Sequence, residues 1–539
     1  MSLNWQQHLI LAPILLPLLC GAVLIMVNER HHRAKFFLNL ASLLGLLAIA
    51  LRLMWMADSG HWPQGIGVYL AANWAAPFGI ALVADRLSAL MLLLAALLAL
   101  AALLYSMQGW SRIGVHFHSL FQFLLMGLNG AFLTHDLFNL FVFFEVMLAA
   151  SYGLLLHGYN VKRIRAGMQY IAVNLVASLL FLIGVTLIYA NAGTLNMADL
   201  AARLQSLKPD ELTLLKTGVA VLAIAFLAKS AMWPLGFWLP TTYAAASPPV
   251  AAMLVLMTKV GAYVILRLWL LMFSPEAGAA AGFGLDALFW GGMATIVFGA
   301  AGMLATEAPG RLAGYAAIVS SGILLAVVGH GQTALVAAGL YYLLASTLAL
   351  AALMLLLEAI ERLRSPGAQL LALTMEAFAV EEAPEVPVGV NIPAALAFLG
   401  LSFAACALII AGLPPLSGFV AKFGLFHALF NSGTGQPTPR AWTMVALILL
   451  SGLAAIIALL RFGVRTFWAA GKVAPPPVPR SQALAIGLLL LLSVMLTVQA
   501  GPVLRYLERT NQDLHHPRQY IDRVLSEPVL PGVLKMEPQ

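Results

Sequence analysis

Four ionisable residues stand inside runs that are otherwise apolar. Glu145 lies in Leu-Phe-Asn-Leu-Phe-Val-Phe-Phe-Glu145-Val-Met-Leu-Ala-Ala, and Lys229 ends Val-Leu-Ala-Ile-Ala-Phe-Leu-Ala. Lys259 follows Met-Leu-Val-Leu-Met-Thr, and Lys422 follows Gly418-Phe-Val-Ala just after a Pro-Pro pair. An ionised side chain near the centre of a bilayer costs about 2.5–3.5 kcal/mol on insertion scales, so it normally faces a wet cavity or a partner. Buried acids and bases that exchange protons are the parts of a relay. A Glu145–Lys229 pair across a helix interface would let each group bias the charge of the other, and a lysine held away from water can release its proton near neutrality. The plainer alternative is a static ion pair that fixes helix packing for Glu145 and Lys259, and a side chain reaching the membrane interface for Lys229 and Lys422.

Lesser candidates surround these four. His330, in Val-Val-Gly-His-Gly-Gln, ends a span, and an unperturbed imidazole titrates between about pH 5 and 8. Asp136 opens the span that carries Glu145 and suits the free amide donors of a first turn. Arg267 and Glu358 fall near span ends and read as interfacial. No acidic or His/Cys grouping has metal-ligand spacing, no His pair suits a haem, and Cys20 and Cys406 both lie in apolar spans. The sequence therefore predicts neither metal nor cofactor.

The elements that must position these groups are membrane helices. The chain has 539 residues, 62% of them hydrophobic and 9% charged. Soluble domains are about 25% charged, so this composition predicts a polytopic membrane protein. The net charge of +7 is scattered singly through short loops and reads as topology signal rather than as a nucleic-acid face. No nucleotide-binding glycine motif occurs, which argues against ATP-driven work. The uncharged start and the lack of a cleavage pattern argue against reading the first span as a signal peptide.

Apolar runs of spanning length predict about fourteen transmembrane helices, with 391–430 read as one helix broken at Pro414-Pro415. Residues 57–85 read as a hairpin or loop on the outer side, and 362–390 as a mixed acidic loop with Pro384 and Pro387. Alternate loops carry Arg30, Arg33 and Lys35; Arg112; Lys162, Arg163 and Arg165; Arg311; Arg362 and Arg364; and Arg465, Lys472 and Arg480. These are the inner loops by the positive-inside rule, which puts both termini outside, although five basic residues in 502–539 pull the other way. Lys229 precedes a break at Trp233-Pro234 and Lys422 follows one at Pro414-Pro415. Proline frees the carbonyl four residues back, here those of Ser230 and Ile410. Paired broken helices point to inverted repeats with sites at mid-membrane. The resulting division is 1–114 for three N-terminal helices, 115–273 and 284–462 for two five-helix repeats, and 463–539 for the last helix and tail.

Asp136-Leu-Phe-Asn-Leu-Phe-Val-Phe-Phe-Glu145, Lys229-Ser-Ala-Met-Trp-Pro234, Leu239-Pro-Thr-Thr-Tyr-Ala-Ala-Ala-Ser-Pro-Pro249 and Pro414-Pro-Leu-Ser-Gly-Phe-Val-Ala-Lys422 together resemble the antiporter-like subunits of respiratory complex I, membrane-bound hydrogenases and Mrp-type (Mnh, Pha) cation/proton antiporters. The wording around Glu145 most resembles the D-type subunit of the Mrp antiporters. The resemblance covers roughly residues 10–500. It implies fourteen helices with two inverted five-helix repeats, a hydrated axis through Glu145, Lys229, Lys259 and Lys422, no cofactor, and partners of the A, B, C, E, F and G type. It further implies a proton-translocating subunit of a Na+ or K+/H+ antiporter in the bacterial inner membrane. The alternative is a proton-pumping subunit of a redox complex, and an assembly scaffold is a third. Many relatives carry a His or Lys in the eleventh span, where this chain has Tyr341-Tyr342-Leu-Leu-Ala345-Ser346-Thr347. Protons would have to cross there on water held by Tyr342, Ser346 and Thr347, or by way of His330.

Overall fold

The computed structural model of the chain describes residues 8–158, 160–204, 208–363, 393–431, 438–468 and 478–529. Twelve of the described helices are long and apolar enough to cross a membrane, and three shorter apolar helices accompany them. In chain order the helices begin with α1 (Ala12–Met26) and α2 (His32–Asp58). A small antiparallel hairpin follows, β1 (Gly67–Leu70) with β2 (Ala81–Ala84), in the register Gly67↔Ala84 to Leu70↔Ala81. It falls inside the stretch expected to be a hairpin or loop, and it qualifies an all-α description.

Next come α3 (Arg86–Ser106), α4 (Phe117–Leu133), α5 (Leu137–Leu156), α6 (Val161–Ala192), α7 (Met197–Arg203) and α8 (Pro209–Lys229). The first broken element continues as α9 (Leu239–Ala245), and α10 (Pro248–Met272), α11 (Leu285–Ala305), α12 (Pro309–His330) and α13 (Thr333–Leu363) follow. The second broken element is α14 (Ala394–Ala411) with α15 (Ser417–Phe430), and then come α16 (Pro439–Gly463) and α17 (Arg480–Val498). Two short helices close the described chain, α18 (Ala500–Leu514) and α19 (Pro517–Leu525). The loop expected over 362–390 lies almost wholly outside the described residues.

Local chemistry explains where these helices start. The Asp85 carboxylate accepts from the Ser88 amide at 2.8 Å, and the Ser88 hydroxyl caps back onto the Asp85 amide, closing a capping box at α3. Asp136 accepts from the Asn139 amide at 2.8 Å and starts α5, in keeping with its place in the sequence. Pro209, Pro248, Pro309 and Pro439 occupy first positions, where the missing N–H costs nothing.

Burial divides the bundle. The most apolar windows of α10, α12 and α13 are 100%, 94% and 94% buried, against 33% for α2, α14 and α17. The first three form the interior and the last three the lipid-facing rim. Helix α10 packs against α3, α8, α12 and α13, so whatever it carries at mid-height is enclosed on every side.

The two faces are knitted by polar contacts. On one face, Glu358 of α13 accepts from Tyr105 at 2.9 Å, from Trp110 at 2.9 Å and from Arg362 at 2.7 Å. Glu358 is thus half-buried and shared by three donors, rather than simply interfacial. On the opposite face lie the hairpin and both ends of the described chain: the His8 ring rests 5.6 Å from Tyr69, and Arg509 and Arg86 both pair with Asp58. Arg518 pairs with Glu276, and Arg523 with Glu527. Three of the basic residues that seemed to argue for the other side are therefore matched by carboxylates.

Candidate functional site

Of the four ionisable residues singled out first in the sequence, Lys229, Lys259 and Lys422 are buried in the bundle and Glu145 is half-buried. Glu145 lies on α5, in contact with α6, whose Ser178 hydroxyl donates to the Glu145 carboxylate in a short hydrogen bond. Lys229, the last residue of α8, lies over the ring of Phe144 at 4.9 Å from its centroid, and its ammonium has no hydrogen-bond partner among the described residues. The expected direct ion pair with Glu145 does not form. Neighbours on a helix point about 100° apart, so with Phe144 turned toward Lys229 the next residue, Glu145, faces α6.

The break after Lys229 is sharper than the sequence suggested. The helix ends at Lys229 itself, Ala231 has φ +56°, and the chain resumes helical form only at Leu235–Trp238 and α9. A small cavity next to Lys229 is lined by Tyr170, Asn174, Tyr243 and Thr258. It reaches the residue before Lys259, and it leaves about 10 Å³ for the centre of a water molecule, near the lower limit for holding one.

Lys259 is fully enclosed at the middle of α10. Its ammonium donates to the Ser320 hydroxyl of α12 at 2.6 Å, and Ser320 donates in turn to the Ser346 hydroxyl of α13 at 2.9 Å. Ser320 was not a sequence candidate. Beyond Ser346 a second cavity, lined by Ser320, Tyr342, Ser346, Ser451, Ile410 and Lys422 among others, leaves about 20 Å³ for water centres. A water needs roughly 10–15 Å³ by this measure, so the space suits one or two. Two hydroxyls thus cross the span without an ionisable group, into a largely apolar cavity whose polar groups are Ser320, Tyr342, Ser346, Ser451 and Lys422.

Lys422 occupies the second break. Its ammonium donates to the Ala411 carbonyl at 2.7 Å and to the Ile410 carbonyl at 3.3 Å, the acceptors left open where α14 stops before Pro414. The freed Ile410 carbonyl expected from the proline pair is therefore a ligand of the lysine. Glycines make the room: Gly412 ends α14 at φ +81°, and a β-carbon on Gly418 would stand 1.8 Å from the Ile409 carbonyl oxygen.

Other expectations fare differently. Thr347 donates to the Leu343 carbonyl of its own helix at 2.6 Å and is not among the cavity residues, whereas Tyr342 is. His330 packs edge-on to Phe289, neither of its ring nitrogens has a hydrogen-bond partner among the described residues, and it lines neither cavity. Arg267 is not interfacial. It is buried, two turns along α10 from Lys259, and clasps both oxygens of Asp85, with Nη2 to Oδ1 at 2.8 Å. A lone Arg at a span end gives no sign of this in the sequence, because its partner is far away in the chain and reads as a helix cap.

Comparison with known proteins agrees with this architecture. Residues 134–453 match the family model described as NADH:quinone oxidoreductase/Mrp antiporter, TM. The chain is 54% identical over 532 residues to the probable D subunit of a K+/H+ antiporter of Rhizobium meliloti (strain 1021), covering 97% of this chain and 99% of that one. It is 33% identical to the D subunit of the Na+/H+ antiporter of Bacillus subtilis (strain 168), over 97% and 100% of the two chains. Its fold matches a chain of the Mrp complex from Dietzia sp. DQ12-45-1b with a TM-score of 0.81 at 27% identity, covering 97% of this chain and 100% of that one. A chain of respiratory complex I from Thermus thermophilus shares the fold with a TM-score of 0.71 at 23% identity, over 96% and 100%. The chain belongs to the NADH:quinone oxidoreductase/Mrp antiporter membrane-subunit family, within which it is a homologue of the D-type antiporter subunits.

Proposed function

We propose that this chain is the proton-translocating subunit of a multisubunit monovalent cation/proton antiporter, with Glu145, Lys229, Lys259 and Lys422 as its proton carriers. The observation that carries this reading is the contact series from Lys259 through Ser320 and Ser346 into the cavity that ends at Lys422. An ammonium beside a hydroxyl can pass its proton on as that hydroxyl releases its own to the next oxygen. Lys259 thereby becomes neutral while Lys422 gains charge, which the Ile410 and Ala411 carbonyls stabilise. On the other side, Tyr170, Asn174, Tyr243 and Thr258 supply the polar lining between Lys229 and Lys259. Each charge moved with the membrane potential is worth about 2.3 kcal/mol per 100 mV, which is what an inward proton contributes to outward cation movement.

Glu145 is only half-buried and stands at the edge of the bundle, beside the exposed Val142 and Ala149. A carboxylate open to lipid is costly, so this edge is where a neighbouring subunit covers the site. The chain acts as one member of a complex with A, B, C, E, F and G type partners. It crosses the bacterial inner membrane fourteen times, counting each broken element once, with the arginine-rich loops inside and both termini outside. In this reading 1–114 forms the N-terminal helices, 115–273 and 284–462 are inverted five-crossing repeats with the break in the fourth crossing of each, and 463–539 closes the chain. The 54% identical relative is named for K+, which favours K+ over Na+ as the exchanged ion.

The test is exchange by the assembled complex in everted vesicles, with K+ and Na+ offered separately, comparing wild type with Lys422→Met. The expected result is K+-dependent proton movement that the substitution removes while the complex still purifies whole. Proton movement tied to quinone reduction, with neither cation required, would support the redox reading instead.

A further inference from the structure

Two cavities lie within about a helical turn of the Lys259–Ser320–Ser346 contacts, and each leaves about 20 Å³ for water centres. One is the cavity that ends at Lys422. The other lies between α3, α10, α12 and α13, toward the hairpin.

Its depth follows from the order of residues along each helix. On α10, Tyr263 and Leu266 line it between Lys259 and Arg267, and on α12, Leu324 and Val327 line it beyond Ser320. On α13, Leu340 lines it ahead of Ser346, and on α3, Leu87 and Met91 line it just after Asp85. The four helices thus contribute to one apolar layer, with Lys259 on one side of it and the Arg267–Asp85 pair on the other.

Lining separates the two cavities where size does not. A buried water needs about three polar partners, and apolar cavities much larger than this one stay dry. The Lys422 cavity offers Ser320, Tyr342, Ser346, Ser451 and Lys422. Among the described residues, the second cavity offers one polar side chain, Tyr263, whose hydroxyl already donates to the Phe132 carbonyl at 2.7 Å. The charges beyond it do not carry protons. A guanidinium keeps its proton inside proteins, so Arg267, held on both oxygens of Asp85, is a fixed charge.

We propose that this second cavity, backed by the Arg267–Asp85 pair, is a dry barrier to protons between Lys259 and the hairpin side. Apolar constrictions block ions by excluding water. The barrier rests on Lys259 being a proton carrier, and it gives that proton a direction. The proton leaves through Ser320 toward Lys422 and not straight along α10 past Tyr263, where it would run down the gradient with no cation moved.

The test is passive proton leak through the assembled complex in vesicles, with a pH gradient imposed and neither K+ nor Na+ present. Wild type is expected to be tight. Leu340→Asn places an amide in the cavity, and one added hydrogen bond favours a water there by about ten-fold, so the leak should rise by about that factor. Leu340→Ala enlarges the cavity without adding polarity and should stay tight. Adding Lys259→Met to Leu340→Asn should return the leak to the wild-type level. Val327→Thr, which keeps the side-chain shape and adds a hydroxyl, carries the same test if the amide prevents assembly. Wild-type leak from an intact polar variant overturns the barrier, as does a leak that survives Lys259→Met or that Leu340→Ala shows equally. Cation-driven exchange near wild type from Lys259→Met alone is the separate result that overturns the carrier reading, and the barrier with it.

Discussion

At the level of single residues, two serines and a glycine carry consequences that the charged residues do not. Ser320 accepts from the Lys259 ammonium and donates to Ser346, which lines the cavity that ends at Lys422. Replacing either by Ala removes a hydroxyl but leaves room that water can fill, so proton-coupled exchange is expected to slow only about ten-fold. That is below the 10²–10⁴-fold typical of a group that itself transfers the proton. Ser346→Val fills the room as well, and should stop exchange in the same vesicle assay. Gly418→Ala is a stability prediction. Its β-carbon would sit 1.8 Å from the Ile409 carbonyl oxygen, which forces α14 and α15 apart. A loss of about 1–3 kcal/mol, seen as a lower melting temperature, is the expected result. Glu145, Lys229, Lys259 and Lys422 were legible in the sequence because a charge in an apolar run is an energetic anomaly. Ser320 was not, because a hydroxyl can satisfy itself on its own helix and costs little there, as Thr347 does.

At the level of elements, the breaks were readable from Pro234 and Pro414-Pro415, but what fills them was not. The Ile410 and Ala411 carbonyls meet Lys422 only because α15 folds back beside the end of α14. The Arg267–Asp85 clasp escaped the sequence for a related reason: it joins the end of α10 to the start of α3 across a long stretch of chain. Burial disfavours the Asp85 carboxylate, yet the Arg267 charge and its hydrogen bonds hold that carboxyl well below its ordinary range. Its stabilising effect is present above the unfolded carboxylate pKa and is lost only as the pH falls through the depressed folded one. Asp85→Asn should leave a buried guanidinium unpaired and cost about 3–5 kcal/mol. His135, between α4 and α5, is pushed down to about 3 by burial and by Arg267. The unfolded chain therefore binds the extra proton, and stability falls on acidification below the unfolded pKa of 6.5. The slope expected from this residue is at most about 1.4 kcal/mol per pH unit. Melting curves of wild type and His135→Gln between neutral and mildly acidic pH should diverge by that amount, with the variant the flatter.

At the level of the molecule, composition alone indicated a many-span membrane protein, and the linked motifs around Glu145, Lys229 and Lys422 indicated its family. What composition could not give is which helices form the interior, since α10 and α17 are similarly apolar while one is enclosed and the other faces lipid. That sorting makes Lys259 the pivot of the account, fully enclosed and joined to the second half of the bundle through Ser320. Lys259→Met keeps the length of the side chain and removes its proton. In the assembled complex reconstituted into vesicles, cation-driven proton movement should fall by about 10²-fold or more, with subunit composition unchanged. Exchange close to wild type from an intact Lys259→Met complex would contradict a proton path through the centre of this subunit.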